Sequence, residues 1–508
     1  MSSPPQRVAE LLSVYGAADA CAAELLCDRH PADAVAFTVV EPDLSSRDLT
    51  FGRLREESAR FATGLAELGV GRGDRVATLM GKSADLVVAT LAIWRLGAVQ
   101  VPLFTAFAPP AIALRVEGAK VVVADEGQRD KLASISQPVV AGPAFRELPP
   151  YEGAVAVGGD GLIIELFTSG TTGAPKAVPV PLRAVAAMRM YQEYGLNHAA
   201  DDVFWNAADP GWAYGLYYAI VGPLALGRRA LLLHGGFSAE LTWRVLSHFG
   251  VTNFAAAPTV YRALRNAPAA EPRLRRCSSA GEPLNPDMIE WAEKALGVPI
   301  LDHYGQTELG MAVANGWHPD ILAGLRLGSM GRELPGWRLK VLRPDSEQIA
   351  PPGVLGRVAV DVEHSPLMWF TGYRGGTAPG RWYFTGDTAS RDADGYFFFA
   401  SRDDDVILMA GYRIGPFEVE SVLLEHDDVA EAAVVGTPDE LRGEIVVAYV
   451  VLRSGAVPSE ALAGELQRLV KERLAAHAYP REVRFVDGLP KTPSGKLQRF
   501  LLREGGSA

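Results

Sequence analysis

The sequence predicts an α/β fold: a large N-terminal domain of parallel-type sheets covered by helices, with a β subdomain, and then a small α+β C-terminal domain. Between residues 51 and 257, segments with helical spacing alternate with short apolar runs, as expected for parallel strands joined by helices. From 327 to 362, short strands separated by Pro-Gly pairs predict the β subdomain. Roughly a hundred residues after 405 carry their own strand and helix signals. A chain of 508 residues exceeds what one core usually serves, so at least two domains are expected.

The individual elements follow from the spacing of apolar residues. Apolar side chains three and four residues apart predict a helix over 51–68, and glycines end it. The next expected elements are a strand over 75–80, a helix over 86–96 and a strand over 98–103. Further strands are expected over 120–124, 162–167, 230–233 and 254–257. In the last hundred residues, strands are expected over 429–435 and 445–452 and helices over 418–425 and 459–474.

Composition and charge narrow the possible partners. The residues are 48% hydrophobic and 21% charged, which is ordinary for a globular protein, and the net charge of −11 argues against nucleic acid as a partner. Three cysteines without metal-ligand spacing indicate free thiols in a reducing cytoplasm. The N-terminus lacks the apolar core of a signal peptide, and the longest apolar stretch, 216–233, contains adjacent arginines. We therefore expect a cytoplasmic protein without a membrane span.

A glycine-rich loop near one third of the chain is the most informative segment. An apolar strand precedes it, and it combines glycines, hydroxyl side chains and a lysine. Glycines let backbone N–H groups turn toward an anion, hydroxyls donate to its oxygens, and the lysine adds positive charge. The alternative is a flexible surface loop. The residues expected to bind phosphate are Thr168, Ser169, Gly170, Thr171, Thr172, Gly173 and Lys176.

Four downstream motifs give this loop its context. In chain order they are Tyr304-Gly305-Gln306-Thr307-Glu308, Tyr383-Phe384-Thr385-Gly386-Asp387, Ser401-Arg402-Asp403-Asp404-Asp405 and Pro490-Lys491-Thr492-Pro493-Ser494-Gly495-Lys496. With the loop, and in this order, they resemble the adenylate-forming superfamily, which includes acyl-CoA synthetases, adenylation domains and beetle luciferases. The resemblance extends over about 49–499, and within the superfamily the chain is most similar to short- and medium-chain acyl-CoA synthetases.

The resemblance implies a reaction in two halves. A carboxylate attacks the α-phosphate of ATP and expels pyrophosphate, which gives an acyl-adenylate; the thiol of coenzyme A then attacks the acyl carbon and expels AMP. The implied small-molecule partners are ATP with Mg²⁺, a carboxylic acid and coenzyme A. The first half brings two anions together, so it needs cations and N–H donors where charge accumulates. The resemblance also implies a mobile C-terminal domain over 404–508 that moves against an N-terminal domain over 1–403, with Asp404 as the hinge.

The resemblance also assigns the nucleotide contacts. The adenine slot is implied for Gly281, Glu282, Pro283, Asp302, His303 and Tyr304, with Gly305 and Gln306 beside it. Thr307 is expected to contact the α-phosphate, Glu308 to bind Mg²⁺, and Asp387 and Arg402 to bind the ribose hydroxyls. Outside the family context these residues have ordinary roles; Asp387 after a glycine is a common turn residue, and His303 could be a satisfied core histidine.

The remaining assignments concern the lysine and the thiol. Lys496 is implied to bridge the substrate carboxylate and the α-phosphate, where it would offset charge that is greatest in the transition state. Gly411 would let pantetheine pass close to the backbone, and Arg413 is a candidate phosphate contact. In relatives the loop containing Lys496 is a target of lysine acetylation, so an acetyltransferase and a deacetylase are possible partners. The oligomeric state is left open.

The acyl pocket is expected at Trp212, Ala213, Tyr214, Ala280 and Gly305. In acetate-activating relatives a tryptophan stands where this chain has Gly305. Replacing an indole by hydrogen is expected to open room for methylenes, each worth about 0.8 kcal/mol when buried, which favours acids longer than acetate. The alternative is that the pocket collapses around Gly305.

Three other functions remain open at this level. The chain could be an amino-acid-activating module, in which Asp209 would meet an amine. It could pass its acyl group to a carrier protein or an amine. It could also be a non-catalytic adenylate sensor, although Lys496 and Glu308 count against this because binding alone needs neither.

Overall fold

The computed structural model describes residues 3–142, 144–168, 175–268, 270–409, 412–439, 442–475, 477–491 and 497–503. Its α-helices are Pro4–Tyr15, Phe51–Glu67, Ala84–Arg95, Pro109–Arg115, Ala184–Met190, Ala213–Gly215, Gly222–Leu226, Ala239–His248, Pro258–Arg265, Pro286–Ala295, Pro416–Leu423, Glu460–Arg473 and Arg499–Arg503. Short π-helical or 3₁₀ turns lie at Glu24–Asp28, Glu126–Leu132, Tyr191–Gly195, Leu216–Val221 and Asp403–Asp405. Among the helices described, none is both long and apolar enough to cross a membrane.

A six-stranded sheet, counted over the described residues, holds the strand that precedes the glycine-rich loop. Its strands are parallel except for the last pair, which forms an antiparallel hairpin around that loop. In spatial order they are Val139–Ala141, Ala119–Ala124, Arg75–Leu79, Val99–Pro102, Leu162–Thr168 and Lys176–Pro181.

A second sheet has nine strands in the described part of the chain. The run from Ile300–Gln306 to Val35–Val40 is parallel, and antiparallel strands flank it on both edges. In spatial order the strands are Arg332–Glu333, Gly310–Ala314, Ile300–Gln306, Arg276–Ala280, Asn253–Ala256, Phe204–Asn206, Ala230–Leu233, Val35–Val40 and Ser46–Thr50.

Two smaller sheets complete the fold. The expected β subdomain is an antiparallel sheet that extends beyond 362, with strands Leu339–Leu342, Gly356–Asp361, Trp382–Arg391 and Phe397–Arg402. The C-terminal sheet contains Tyr412–Ile414, Ile407–Met409, Gly443–Leu452, Val429–Asp439 and Glu482–Phe485. The predicted class, an α/β protein with a β subdomain and a small C-terminal α+β part, is confirmed.

The helix at Phe51–Glu67 shows how local sequence fixes an element. Thr50 caps it, because its Oγ1 accepts the N–H of Arg53 at 3.3 Å. One face is fully buried and includes Leu54 and Leu65, which follow the helical period. The helix predicted over 51–68 is thus confirmed, and Gly69 follows its end with φ of +80°, a conformation that glycine adopts without strain.

The C-terminal residues pack around their own hydrophobic core. Ile407, Val419, Val434 and Leu466 are among the side chains buried in it. The contacts that join this part to the preceding residues include a hydrogen bond from Asn285 Nδ2 to Ser421 Oγ at 3.2 Å and the rings of Phe399 and Phe417, which lie 6.0 Å apart. A separate core is what an independently folding unit requires. The boundary after residue 403 stays a prediction.

A buried carboxylate ties the phosphate-loop hairpin to a distant segment. Glu165, on the strand Leu162–Thr168, has a side chain only 1% exposed. Arg75 donates to both of its oxygens, at 3.0 and 3.1 Å, and Arg374 Nη1 donates to Oε1 at 3.0 Å. The backbone N–H of Arg374 also donates to the carbonyl of Ala177. The segment around Arg374 is therefore fixed against both strands of the hairpin.

Glu165→Gln tests the energetic weight of this junction. The amide cannot hold two guanidinium groups by charge, so we expect the free energy of unfolding to fall by about 1–3 kcal/mol. The change is measured as a lower urea midpoint and a lower Tm. Glu56→Gln is the matched control. Glu56 also forms an ion pair with an arginine, Arg60, but its side chain is 60% exposed, so its loss should cost little stability. Equal stability of Glu165→Gln and wild type would contradict this account.

Candidate active site

Asp387 stands at the meeting point of the nine-stranded sheet and the β subdomain. It is 4% exposed and pairs in register with Arg402, whose Nη1 donates to Oδ1 at 2.8 Å. From the strand Ile300–Gln306, Tyr304 Oη donates to Oδ2 at 2.5 Å and Gln306 Nε2 donates to the same oxygen at 2.7 Å. Four of the residues assigned to nucleotide binding therefore form one hydrogen-bonded cluster.

Burial and hydrogen bonding act on Asp387 in opposite directions. Burial raises the pKa of this carboxyl, while the charge of Arg402 and the hydrogen bonds from Tyr304 and Gln306 lower it. Gln306 is itself oriented by two contacts, since its Nε2 also donates to the carbonyl of Thr385 at 2.7 Å and Tyr383 Oη donates to its Oε1 at 3.3 Å. The cluster thus holds the Asp387 carboxyl in a fixed place within the strand Trp382–Arg391, where its oxygens can accept from hydroxyl donors.

Glu308 follows Gln306 by two residues and is 6% exposed. Tyr373 Oη donates to its Oε1 at 2.8 Å. Burial raises the pKa of Glu308, and the hydrogen bond from Tyr373 lowers it. The ammonium group of Lys176 lies 5.0 Å from the centre of the Tyr373 ring, within cation–π distance. Tyr373 therefore connects the expected metal-binding carboxylate to the lysine of the glycine-rich loop.

The glycine-rich loop itself is described only at its two ends. Thr168 and Lys176 are paired across the antiparallel hairpin, and Thr168 Oγ1 donates to the carbonyl of Lys176 at 3.4 Å. The assigned residues Ser169, Gly170, Thr171, Thr172 and Gly173 lie outside the described residues.

The loop expected to bind adenine follows the strand Arg276–Ala280. Ala280 is 1% exposed, and Gly281 has φ of +95°, which turns the chain away from the sheet. Glu282 is already engaged, because Thr259 Oγ1 lies 2.8 Å from each of its oxygens and donates its one proton to the carboxylate, and Arg262 donates to Oε2 at 2.7 Å. This places Glu282 as a support of the Gly281–Pro283 turn.

Two further residues of the expected adenine slot are bonded inside the protein. Asp302 accepts the backbone N–H of His303 at 3.1 Å, and burial raises the pKa of Asp302 well above its usual range. His303 Nδ1 lies 2.7 Å from Tyr191 Oη, and Nε2 lies 3.1 Å from the carbonyl oxygen of Asn315. Both imidazole nitrogens thus have protein partners, which is the arrangement of a satisfied core histidine. Thr307 offers its carbonyl to Tyr217 Oη at 3.0 Å.

Gly305, which is expected to open the acyl pocket, lies close to the backbone of the neighbouring strand. An ideal Cβ on Gly305 would lie 2.0 Å from the carbonyl oxygen of Gly310 and 2.7 Å from the Cα of Met311. An irregularity in strand pairing between Tyr304 and Gly305 brings these backbones together. The Cβ direction of Gly305 is therefore filled by the neighbouring strand. The room for methylenes expected in the acyl pocket stays a prediction.

The other residues assigned to the acyl pocket lie at a short helical turn. Trp212 precedes the helix Ala213–Gly215, and its ring lies 5.2 Å from that of Phe104 and 6.4 Å from that of Phe107. Tyr214 is partly buried and its Oη lies 3.2 Å from Tyr191 Oη. The segment around Trp212, which is expected to line the acyl pocket, is therefore in contact with the segment around Phe104.

Charged residues flank the expected hinge. Asp404 is exposed and lies in the turn Asp403–Asp405. On one side Arg402 is bonded to Asp387; on the other, Asp405 accepts from Arg503 at 2.5 Å and lies 3.6 Å from Arg499. The chain on the two sides of Asp404 is thus bonded, through Arg402 and Asp405, to different parts of the molecule. Lys496 and Gly411 lie outside the described residues, and only the backbone of Arg413 is described, paired with Leu408.

Sequence reasoning missed Tyr373, Tyr191 and Glu165. Each acts through a partner that is far away in the sequence, so local spacing gives no sign of it. The one available signal for Tyr373 was its setting between Gly372 and Arg374-Gly375-Gly376, where close approach of the backbone is expected.

Two family models match the chain. The model described as AMP-binding enzyme matches residues 24–370, and the AMP-binding enzyme C-terminal domain matches residues 418–496. The first match covers more than half of the chain. The chain therefore belongs to the AMP-binding enzyme family, and the sequence resemblance to adenylate-forming acyl-CoA synthetases is confirmed.

Individual relatives agree with this assignment. The acetyl-coenzyme A synthetase of Bacillus subtilis is 37% identical over 89% of this chain and 84% of its own length. A crystal structure of an acyl-CoA synthetase from Brucella canis is 44% identical, covers 99% of this chain and 97% of that one, and has a TM-score of 0.78. The anthranilate CoA ligase AuaEII in complex with anthranoyl-AMP is 28% identical over 96% and 97% of the two chains, with a TM-score of 0.86.

Tyr373→Phe tests the contact between Tyr373 and Glu308. Loss of the phenol removes the hydrogen bond that lowers the pKa of Glu308, while the burial that raises this pKa remains. We expect the acid limb of ATP-dependent turnover to move to higher pH, since Glu308 would then be protonated over a wider range. The measurement is a pH profile of ATP–pyrophosphate exchange. Tyr396→Phe is the matched control, because the phenol of Tyr396 donates to the carbonyl of Gly324 instead of to Glu308. An acid limb that does not move in Tyr373→Phe would contradict the assignment.

Proposed function

We propose that this chain is an ATP-dependent acid–thiol ligase, which activates a short-to-medium-chain carboxylic acid as acyl-AMP and transfers the acyl group to coenzyme A. The observation that carries the proposal is the cluster around Asp387, together with Glu308 nearby. The Asp387 cluster brings together residues from three separate sequence motifs, at the place where the nine-stranded sheet meets the β subdomain. AMP and pyrophosphate are the other products.

In the adenylation half, we assign the ribose hydroxyls to Asp387 and Arg402. A buried carboxylate can accept from hydroxyl donors, and the guanidinium next to it favours the charged form of that carboxylate. Tyr304 and Gln306 act as positioning residues, because they fix the second carboxylate oxygen. Lys176 and Thr168, at the base of the glycine-rich loop, supply positive charge and a hydroxyl beside the β- and γ-phosphates.

Glu308 is the residue that we assign to Mg²⁺. Its oxygens are hard donors of the kind this cation prefers, and the neutral phenol of Tyr373 donates to one of them, so the carboxylate fits the ion. Mg²⁺ commonly uses one or two protein carboxylates and completes its coordination with phosphates and water. When bound, it would offset the charge of the phosphates; the protein's part is to hold Glu308 in place through Tyr373.

For the second half, we assign movement to the C-terminal part about Asp404. Arg402 remains bonded to Asp387, while Asp405 is fixed to Arg499 and Arg503, so rotation between them would be concentrated at Asp404. Lys496, three residues before Arg499, is assigned to the adenylation half, and Gly411 and Arg413 to the coenzyme A path. Acetylation of Lys496 would remove its charge and is a proposed control of the first half.

The choice of acceptor and acid follows the relatives. The similar proteins act on acids as different as acetate and anthranilate, to judge by their names, and their acceptor is coenzyme A. A ligase that transfers to a carrier protein or an amine would share the first half-reaction. Whether turnover requires coenzyme A therefore distinguishes these functions.

The first experiment measures CoA-dependent AMP release from ATP across a panel of carboxylic acids. The panel extends from acetate to dodecanoate and includes branched, aryl and amino acids, with pyrophosphate release followed in parallel. We expect turnover that requires coenzyme A and reaches its maximum with a short- or medium-chain acid. Pyrophosphate release that coenzyme A does not stimulate would overturn acid–thiol ligation and indicate a carrier protein or an amine as acceptor.

Lys496→Ala is the control variant for the two half-reactions. It should lose pyrophosphate formation from ATP, because the charge that stabilises the adenylation transition state is gone. Thioester formation from supplied acyl-AMP should persist. Equal loss of both half-reactions would contradict the role assigned to Lys496.

Asp404→Pro tests the hinge. Proline fixes φ near about −65° and also restricts the residue before it, so the joint has fewer backbone arrangements. We expect one half-reaction to fall much more than the other, measured separately by pyrophosphate exchange and by thioester formation from acyl-AMP. Asp404→Gly loses the same carboxylate but keeps the freedom of the backbone, and should retain both. Unchanged ratios of the two half-reactions in Asp404→Pro would contradict a hinge at this residue.

A further inference from the structure

Four tyrosines lie together behind the strand Ile300–Gln306. Tyr191, Tyr217 and Tyr218 are 0% exposed, whereas Tyr214 is only partly buried. The rings of Tyr214 and Tyr218 are 5.5 Å apart, and those of Tyr191 and Tyr218 are 4.4 Å apart. Tyr214 is thus the one member of this group with a surface open to a ligand, and it follows Trp212 in the segment assigned to the acyl pocket.

The position of one proton can be derived from the contacts of His303. Nε2 lies 3.1 Å from the carbonyl oxygen of Asn315, and a carbonyl only accepts, so Nε2 carries the hydrogen. Burial lowers the pKa of His303 to about 4, so the ring is neutral near pH 7. Nδ1 of a neutral ring with hydrogen on Nε2 is an acceptor. Tyr191 Oη, 2.7 Å away, must therefore donate to it.

The same reasoning passes from Tyr191 to Tyr214. A phenol has a single O–H, and that of Tyr191 is used by His303. In the contact of 3.2 Å between the two phenols, Tyr191 can only accept, so Tyr214 is the donor. The proton of Tyr214 thus points toward the protein interior. What Tyr214 can still offer a ligand is an oxygen lone pair.

The polar groups next to Tyr214 have partners of their own inside the protein. Tyr218 Oη accepts the backbone N–H of Met311 at 2.7 Å. Asp302 accepts the N–H of His303 at 3.1 Å. Tyr214 Oη is bonded to Tyr191 Oη, and this bond uses the Tyr214 proton but leaves its oxygen able to accept from a ligand.

We propose that Tyr214 Oη is a hydrogen-bond acceptor for the acyl substrate, and that the enzyme selects acids bearing a hydroxyl or N–H donor along the chain or ring over isosteric acids without one. The inference deepens the proposed function and rests on it. A site that pairs with a donor discriminates against analogues that lack it, because its own polar group then stays unpaired. An acid with a hydrogen-bond acceptor in the same place brings its lone pair against that of Tyr214. We therefore expect it to be a poorer substrate than either the donor or the apolar analogue.

The test compares kcat/KM for CoA-dependent AMP release over matched sets of acids. Each set holds a donor, an apolar and an acceptor analogue of one shape, such as the ring-substituted amino-, methyl- and nitrobenzoates, and the hydroxy-, methyl- and oxo-substituted hexanoates. Substitution at each position is included. For wild type we expect the donor analogue to exceed the methyl analogue by about 5- to 10-fold at one position at least. A methyl analogue equal to or better than the donor analogue at every position would overturn the inference without any variant.

Two variants separate the hydrogen bond from the shape of the pocket. Tyr214→Phe keeps the ring and removes the oxygen, so the donor-to-methyl ratio should fall toward one. Tyr191→Phe keeps Tyr214 but removes the acceptor of its proton, so Tyr214 becomes free to donate and acceptor analogues should gain relative to donor analogues. Tyr194→Phe is the matched control; its ring packs against His318, outside this set of contacts, and it should keep the wild-type ratios.

The outcomes distinguish this inference from the proposed function. Absence of CoA-stimulated turnover with every acid would overturn the proposed function and the inference with it. Turnover with unchanged donor-to-methyl ratios in Tyr214→Phe would overturn the inference alone. A loss of the ratio in Tyr214→Phe, combined with a gain of acceptor analogues in Tyr191→Phe, is the result that a directed phenol proton requires.

Discussion

The burial of Asp387 is the constraint on which the rest of the site depends. A carboxylate taken out of water must be neutralised or compensated, and here Arg402, Tyr304 and Gln306 together compensate it. Arg402 comes from the β subdomain, whereas Tyr304 and Gln306 come from the nine-stranded sheet. The same bonds that satisfy Asp387 therefore hold two sheets in register, so the stability of the junction and the geometry of the nucleotide site have one physical cause.

Compensated carboxylates recur at the other junctions. Glu165 joins the glycine-rich hairpin to the segment of Arg374, and the adjacent Tyr373 bonds to Glu308. Asp405 joins the hinge to Arg499 and Arg503. In each case long-range ion pairs, rather than local sequence, fix one element against another. This explains why a chain with net charge −11 keeps several of its arginines at junctions, where they hold carboxylates that would otherwise repel.

Local patterns predicted the elements well, and long-range contacts set the limit of that prediction. The strand expected over 230–233 and the helix expected over 51–68 are present because burial imposes a period that the sequence displays. The close approach of Gly310 to Gly305 was not predicted, because it depends on an irregularity in how the two strands pair. Tyr373 was missed for the same reason, since its partner Glu308 is distant in the chain. The order of the motifs was enough to predict which residues form the site. The contacts between those residues depend on how distant strands pair, which the motifs do not show.

Acid selection depends on polar pairing as well as on pocket volume. The neighbouring strand closes the Cβ direction of Gly305, so the missing indole alone does not determine which acids bind, and the side chains that line the pocket add their own preference. Tyr214 is such a side chain, and the direction of its proton is fixed by a neutral His303 through Tyr191. A buried polar chain of this kind has only one assignment that leaves every member satisfied. Buried polar groups must be paired, and this requirement fixes each proton from Asn315 through His303 and Tyr191 to Tyr214. Specificity for a hydrogen-bond donor on the substrate follows from the last of these contacts.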